Sequence, residues 1–307
     1  MTFLLLFKQM IKFFLIMSLG FLMFKIGFMD REFNKKLSKI LLNITLPALI
    51  LNSVLSQTSR PDGKSILYVF LIATLMYLLL PILGIAVSHF FPVPQQKKSI
   101  YAFMTAYGNI GFMGFPIIGV LYGTTAILYT AIFNILFNLS AYTIGTLIMT
   151  GNSKDNAKMN VSHLMNPGFL ISLFSILVYF INPSVPEVLA DTISTIGNVT
   201  TPLSMILIGS TLATNNIREI FQDKFVYVFA CFRQILLPLI SLAFIHLFIH
   251  DNLILNVTFI LMLMPAANSA VMFATEYHAD ERLASKGVFI TTLLSIITIP
   301  LGVFLFV

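Results

Sequence analysis

Charge, acidic side chains and cysteine are scarce in this sequence, and each shortage excludes a class of protein. Only 10% of the 307 residues are charged, while 58% are hydrophobic and the mean hydropathy is +0.93. This composition excludes an ordinary soluble domain. The single cysteine, Cys231, lies inside a hydrophobic segment, so neither an intramolecular disulfide nor a thiolate metal site can form. The five histidines are scattered without ligand spacing, and we expect no metal and no cofactor.

The 12 Asp and Glu residues all fall in loops or close to the end of a hydrophobic segment. Cation and proton antiporters depend on carboxylates in the membrane interior, and this sequence offers none. The 18 Lys and Arg residues give a net charge of +6, but they are spread over short loops and form no basic stripe. We therefore expect no nucleic-acid partner. No pair of catalytic side chains lies at depth, which argues against an enzyme.

The hydrophobic runs repeatedly reach the roughly 20 residues that a bilayer requires. They predict an all-α polytopic membrane protein with ten spans and the lipid bilayer as its surroundings. The connections are short, so residues 1–307 are expected to form a single membrane domain. The predicted spans are 4–28, 35–55, 65–89, 98–121, 125–149, 166–182, 187–212, 224–248, 252–276 and 285–306.

The basic residues of alternate loops predict the orientation of the chain. One set of loops holds Arg31, Lys35, Lys36, Lys97, Lys98, Lys154, Lys158, Arg218, Lys224, Arg282 and Lys286, and the other holds only Arg60 and Lys64. The first set marks the cytoplasmic side. Both termini are then expected to be extracellular.

The ten spans divide into five and five, as residues 1–150 and 163–307, and an odd number per half requires the second half to be inverted. The pattern Asn-x-Thr-x-Pro occurs in the second span of each half, from Asn43 to Pro47 and from Asn198 to Pro202. This echo supports an inverted repeat. These residues are candidates for cavity lining or ion support, and the alternative is helix packing beside a proline kink.

The fourth span of each half is expected to break. Tyr107–Pro116 contains three glycines, an asparagine and a proline, and Met264–Ala270 contains Pro265 and Asn268. Each Gly costs a helix about 1 kcal/mol and each Pro about 3 kcal/mol relative to Ala. Broken backbone at membrane depth is tolerated only inside protein or beside a cavity. Two such breaks in corresponding places indicate the substrate site of a secondary transporter.

We expect the half-helices to resume at Pro116 and Pro265, so that their positive N-terminal ends converge where the two spans cross. The negative ends of the preceding half-helices also meet there, which leaves the sign of the ligand open. Arg233, the one deep charge, favours an anion either as a counter-charge or through bonds to carbonyls of a broken helix. The candidate substrate-binding residues are Asn109, Gly111, Pro116, Pro265, Asn268 and Ser269.

Three stretches resemble the auxin efflux carrier family in its compact bacterial form. They are Asn109-Ile-Gly-Phe-Met-Gly-Phe-Pro116, the stretch from Pro265 to Tyr277, and the stretch from Ser285 to Leu301. The resemblance implies a scaffold part (spans 1, 2, 6 and 7) and a transport part that moves like an elevator. It also implies organic anion substrates such as malate or malonate, and a homodimer. Gly108-Asn109-Ile110-Gly111 replaces the Asn-Pro-Asn-Thr-Tyr of plant carriers, which argues against auxin itself.

The sequence thus predicts a secondary transporter of small organic anions in a bacterial plasma membrane, with the anion bound where spans 4 and 9 cross. Its nearest rival is a sodium- or proton-coupled organic anion symporter of the bile-acid type. A rival of another class is a membrane receptor that binds its ligand without transporting it.

Overall fold

A computed structural model describes residues 3–56, 63–150, 167–214 and 223–306. These residues are mostly helical, and the isolated bridge between Gly108 and Ala266 is the only β-pairing among them. The α-helices are α1 (Phe3–Lys25), α2 (Arg31–Ile40), α3 (Leu46–Leu55), α4 (Gly63–Ser88), α5 (Gln95–Ala106), α6 (Phe115–Ser140), α7 (Thr146–Thr150), α8 (Pro167–Ile181), α9 (Glu187–Asn198), α10 (Thr200–Ala213), α11 (Lys224–Cys231), α12 (Leu237–Phe248), α13 (Asn252–Leu263), α14 (Ser269–Glu276) and α15 (Glu281–Phe306). Four π-helical turns adjoin them, π1 (Leu41–Thr45), π2 (Ile110–Gly114), π3 (Ala141–Gly145) and π4 (Phe232–Leu236).

Within the described residues, 6 helical segments are long and apolar enough to cross a membrane. They are Arg31–Leu55, Gly63–Ser88, Ile110–Thr150, Glu187–Ala213, Lys224–Phe248 and Glu281–Phe306, and the shorter apolar helices Leu170–Ile181 and Asn252–Leu263 accompany them. The prediction of an all-α polytopic membrane protein is confirmed. The count of ten spans and the inverted repeat stay predictions.

Some residues used in the sequence analysis lie outside the described ranges. They are the loop cations Arg60, Lys154, Lys158 and Arg218 and the start of the predicted second half at residue 163.

Three of the π-helical turns end two residues before a proline. π1 precedes Pro47, π2 precedes Pro116 and π4 precedes Pro238. Proline has no N–H to donate, and its ring clashes with the carbonyl four residues earlier. A π turn changes the hydrogen-bonding register of a helix by one residue, so it accommodates this misfit without ending the helix.

Helix α6 contains a sharp turn at Gly123, which has φ 74° and ψ −158°. Only glycine adopts this backbone conformation readily. The turn falls between predicted spans 4 and 5, so α6 comprises the end of one predicted span and most of the next.

The chain divides into two compact units, and each draws on both predicted halves of the sequence. Unit 1 comprises Met1–Val69, Ile110–Ile135 and Met165–Thr214. Unit 2 comprises Phe70–Asn109, Leu136–Leu164 and Asn215–Val307.

In unit 1, α1 packs along α10, and the segment from α2 to α3 runs antiparallel to the segment from α9 to α10. Helix α2 contacts α10, while α3 contacts α9. Met29, Leu37, Leu41 and Leu207 form a buried apolar cluster. The Ser210 hydroxyl donates a hydrogen bond of 2.7 Å to the side-chain oxygen of buried Asn34.

Unit 2 contains a buried aromatic group around Tyr107. The Tyr107 ring stacks on Tyr77 with centroids 6.4 Å apart and lies 4.5 Å from the Phe103 ring. The Tyr107 hydroxyl lies 3.0 Å from the carbonyl oxygen and 2.9 Å from the hydroxyl of Ser140. The Ser140 hydroxyl in turn donates to the Tyr77 carbonyl at 3.0 Å. These contacts join α4, α6 and the end of α5.

Candidate functional site

The first predicted break is present in the structure. Helix α5 ends at Ala106, and Tyr107 has an extended backbone with φ −116° and ψ 109°. Gly108 and Asn109 follow without helical structure, and π2 begins at Ile110. The helix ends here because Gly108 and Asn109 both have low helix propensity.

The second predicted break is also present. Helix α13 ends at Leu263, Met264 is extended with φ −63° and ψ 140°, and α14 begins at Ser269. Pro265 follows directly after Met264, and the residue before a proline is excluded from helical backbone by the proline ring. The sequence therefore determines locally where α13 stops.

The two breaks pair with each other inside unit 2. Gly108 and Ala266 form an antiparallel bridge. The Asn109 N–H donates to the Pro265 carbonyl at 2.8 Å, and the Ala267 N–H donates to the Tyr107 carbonyl at 3.0 Å. Backbone groups released by the loss of helix are thus satisfied by the other break. We call this paired region the crossing.

The expectation that each half-helix resumes at its proline holds for the α-helix at the first break, because α6 begins at Phe115 with Pro116 in its first turn, although the π-helical turn π2 precedes it. The expectation is wrong for Pro265. Helical structure resumes at Ile110, before Pro116, because π2 accommodates the missing N–H of that proline. Pro265 lies within the extended stretch, since its carbonyl accepts the Asn109 N–H, and α14 starts four residues later at Ser269. Asn268 immediately precedes α14, and its side chain does not cap the helix.

Arg233 is bound at the ends of both broken helices. Its Nε donates to the Met104 carbonyl at 3.2 Å, and its Nη1 donates to the Met262 carbonyl at 2.8 Å. Met104 lies in the last turn of α5 and Met262 in the last turn of α13, where carbonyls lack helical donors. Of the two interpretations left open by the sequence, the structure shows the bonds to helix carbonyls.

This arrangement changes the electrostatics of the crossing. The C-terminal ends of α5 and α13 each carry about half a negative charge, and the Arg233 guanidinium neutralises them. The N-terminal end of α14, with its partial positive charge, remains uncompensated by a side-chain cap. Among the described residues Arg233 is the only buried charged side chain, at 1% exposure. The partial charges of these groups therefore sum to a positive value.

Gly108 is required for the approach of Arg233. A Cβ atom at this position would lie 2.8 Å from Nη2 of Arg233 and 3.4 Å from the Met264 Cβ. A real Cβ does not come so close to another heavy atom, so any larger residue would displace the guanidinium.

Polar groups for a ligand are available beside the paired backbone. Asn109 is 3% exposed. The Ser269 hydroxyl is buried and has no hydrogen-bond partner within the described parts of the chain. An unmatched buried hydroxyl is costly, and a ligand oxygen would satisfy it.

Thr291 is a positioning residue that the sequence analysis missed. Thr291 lies on α15, and its hydroxyl accepts a hydrogen bond of 3.2 Å from the Ala266 N–H. This bond fixes the extended segment of the second break against α15. Thr291 lies in the stretch from Ser285 to Leu301 that resembles the family, but only its spatial position reveals this role.

The structure brings Asn109, Pro265, Asn268, Ser269 and Arg233 together in unit 2. The other candidate residues lie in unit 1. Of these, Pro116 is buried, and Gly111 and Pro47 are half-buried. The remaining three, Asn43, Asn198 and Pro202, are exposed.

Comparison with known proteins decides the family. The model of the family described as "Membrane transport protein" matches residues 5–303. The chain belongs to the auxin efflux carrier family. It is therefore a multi-pass membrane protein of a transporter family, which agrees with a function other than catalysis.

Several relatives within this group cover much of the chain. An uncharacterized transporter of Methanocaldococcus jannaschii is 24% identical over 281 residues, which is 90% of each chain. Another, of Methanothermobacter thermautotrophicus, is 22% identical over 92% of each chain. A Rhizobium meliloti protein provisionally named as a malonate transporter is 24% identical over 66% of this chain and 65% of its own length.

Proposed function

We propose that this member of the auxin efflux carrier family is a secondary transporter of small organic anions, with malate, malonate and related carboxylates as substrates. The observation that carries the proposal is the Arg233 guanidinium, fully buried and bound to the last carbonyls of α5 and α13. No acidic residue in the described ranges is buried, so no carboxylate there pairs with this guanidinium. The provisional name of the Rhizobium meliloti relative agrees with a dicarboxylate.

In this proposal the substrate carboxylate binds at the crossing. Its oxygens accept hydrogen bonds from the Asn109 amide and the unpartnered Ser269 hydroxyl. The uncapped end of α14 adds a favourable dipole. Arg233 acts from behind the Gly108 backbone and strengthens binding through its charge, while its donors stay on Met104 and Met262.

Transport then follows an elevator-type alternating access, in which the unit that carries the crossing moves with the bound anion. The protein acts in the plasma membrane, oriented with its lysine- and arginine-rich loops on the cytoplasmic side.

The test is uptake of labelled malate, malonate and indole-3-acetate into proteoliposomes, with membrane potential, pH gradient and sodium gradient imposed one at a time. Flux of a dicarboxylate that follows the potential alone supports an electrogenic anion carrier. Flux that requires a sodium or proton gradient favours the coupled symporter. Saturable binding without flux of any of these compounds would identify a receptor instead.

Asn109→Ala tests the location of the site. We expect loss of transport with normal membrane insertion, because the amide is a direct ligand in the proposal. Asn138→Ala is the matched control, since Asn138 is a buried asparagine of the same unit at 8% exposure, on α6. Normal uptake by the Asn109→Ala protein would show that the substrate does not bind at the crossing.

A further inference from the structure

Three buried hydroxyls in unit 1 lack hydrogen-bond partners within the described residues, those of Thr45, Ser175 and Thr200. Thr45 at 5% exposure and Thr200 at 1% exposure occupy the same place in the two Asn-x-Thr-x-Pro segments. A threonine inside a helix ordinarily bonds the carbonyl of the preceding turn, as Thr130 does with the Ala126 carbonyl at 2.8 Å. A buried unmatched hydroxyl costs about 1–3 kcal/mol, so the two threonines call for a physical explanation.

The two hydroxyls lie at the same level of one helix contact. Helices α2 and α3 run antiparallel to α9 and α10, and π1, which ends at Thr45, contacts both α9 and α10. The backbones approach most closely at Gly197, where a Cβ would lie 2.9 Å from the N and Cα atoms of Leu49. Thr45 is one turn before Leu49, and Thr200 is about one turn after Gly197. The two helical segments are antiparallel, so one turn back from Leu49 and one turn forward from Gly197 reach the same level of the contact. We therefore infer that Thr45 and Thr200 are neighbours.

A proline follows each of these threonines by two residues, and it removes the α-helical donor of a nearby backbone carbonyl. Pro47 cannot donate to the Asn43 carbonyl, and Pro202 cannot donate to the Asn198 carbonyl, so both carbonyls lack their α-helical partner. π1 and the junction between α9 and α10 mark these irregularities in the backbone. Each side of the contact thus has one unmatched threonine hydroxyl and one carbonyl without its α-helical donor.

We propose that Thr45 and Thr200 bind a sodium ion between the two Asn-x-Thr-x-Pro segments of unit 1. Hard cations take oxygen ligands, and irregular backbone carbonyls serve this purpose in membrane transporters. The ligands are all neutral, so the site suits a monovalent ion and provides no carboxylate for Ca²⁺ or Mg²⁺. A sodium ion would take one lone pair from each of the two hydroxyl oxygens. The site is separate from the crossing and does not depend on the identity of the transported anion.

The experiment measures the melting temperature of the purified full-length protein in sodium, potassium or choline chloride, without any organic anion. We expect about 100 mM sodium to raise the melting temperature by about 2 °C or more over choline, for a site of about 10 mM affinity. Binding of radioactive sodium should be saturable, with about one ion per chain for a single site. Because no anion is present, failure of the proposed anion transport would leave this result unaffected.

Three variants of the proposed site and one control variant separate ion binding from packing. Thr45→Val and Thr200→Val keep the shape of the side chain and remove the hydroxyl, so the sodium effect should disappear in both. Thr45→Ser keeps the hydroxyl, so the sodium effect should remain in this variant. Thr130→Val is the matched control, because Thr130 is fully buried in the same unit with its hydroxyl bonded, and its sodium response should be unchanged.

The proposal is overturned if sodium and choline give the same melting temperature. It is also overturned if potassium stabilises more than sodium, or if the Thr45→Val protein still responds to sodium. Stabilisation of the valine variants in every salt, with no sodium effect in the parent protein, would show that the hydroxyls enclose water only.

Discussion

Replacement of Arg233 tests the electrostatic argument most directly. Arg233→Met removes the charge and keeps an unbranched apolar side chain in the same space. The hydrogen bonds of 3.2 Å and 2.8 Å to the carbonyls of Met104 and Met262 are lost, and both acceptors stay buried. Hydrogen bonds to charged groups contribute about 1.5–3 kcal/mol each, so the stability loss is about 3–6 kcal/mol. A chain of this size should then melt about 5–9 °C lower.

Anion binding should weaken independently of stability. Two opposite unit charges about 8 Å apart attract by about 2 kcal/mol at an effective dielectric constant of about 20, which sets the scale of the expected loss. Loss of that energy corresponds to about a 30-fold rise in the dissociation constant for malonate or malate. Arg233→Lys retains the charge without the fork of donors, so it should bind the anion nearly normally while still losing thermal stability.

The assay combines thermal melting in detergent with concentration-dependent uptake in proteoliposomes. Arg282→Met is the control, because Arg282 is an exposed cation near the start of α15. If the Arg233→Met protein matches this control in melting temperature and in apparent affinity, the assignment of Arg233 is refuted. If the methionine variant binds the anion normally but melts early, Arg233 is structural only.

Three further outcomes follow from the geometry of the crossing. Gly108→Ala should lower stability and anion affinity in the same direction as Arg233→Met but by less, since its Cβ would displace Nη2 from 2.8 Å, and equal uptake kinetics would contradict this. Tyr107→Phe loses the hydrogen bond to Ser140 and should lower stability by about 1 kcal/mol with little change in affinity; a large affinity loss in binding assays would instead make Tyr107 a ligand. Ser269→Ala should raise the apparent KM for the anion without a loss of thermal stability, because the hydroxyl has no partner within the described chain, and an unchanged KM would remove it from the site.

Local chemistry made both breaks predictable. Gly108, Asn109 and Pro265 disfavour continuous helix whatever surrounds them, and the structure ends α5 and α13 beside them. The deep position of Arg233 and the lack of a deep carboxylate were equally visible, since both follow from the position of a residue within a hydrophobic run. The family followed from the same motifs, because they occur in a fixed order along the whole chain.

The start of the resumed helix was mispredicted at the second break, and the π-helical turn at the first break was not foreseen, because two different surroundings act on the two prolines. Pro116 is accommodated by π2, while Pro265 stays extended because its carbonyl pairs with Asn109. Helix propensity describes a residue in isolation, so it predicts neither the π-helical turn before Pro116 nor the backbone pairing of Pro265 with Asn109.

Composition and periodicity alone determined that this protein crosses a membrane and where two of its helices break. Only the tertiary structure decided how the charge is used. Arg233 is 129 residues from Met104 and 29 residues from Met262, and no local pattern connects it to either carbonyl. The close approach of Gly197 to Leu49, on which the proposed sodium site rests, likewise depends on the antiparallel packing of segments far apart in sequence. Unsatisfied carbonyls and hydroxyls take whichever partner the fold brings near, and that partner is a property of packing.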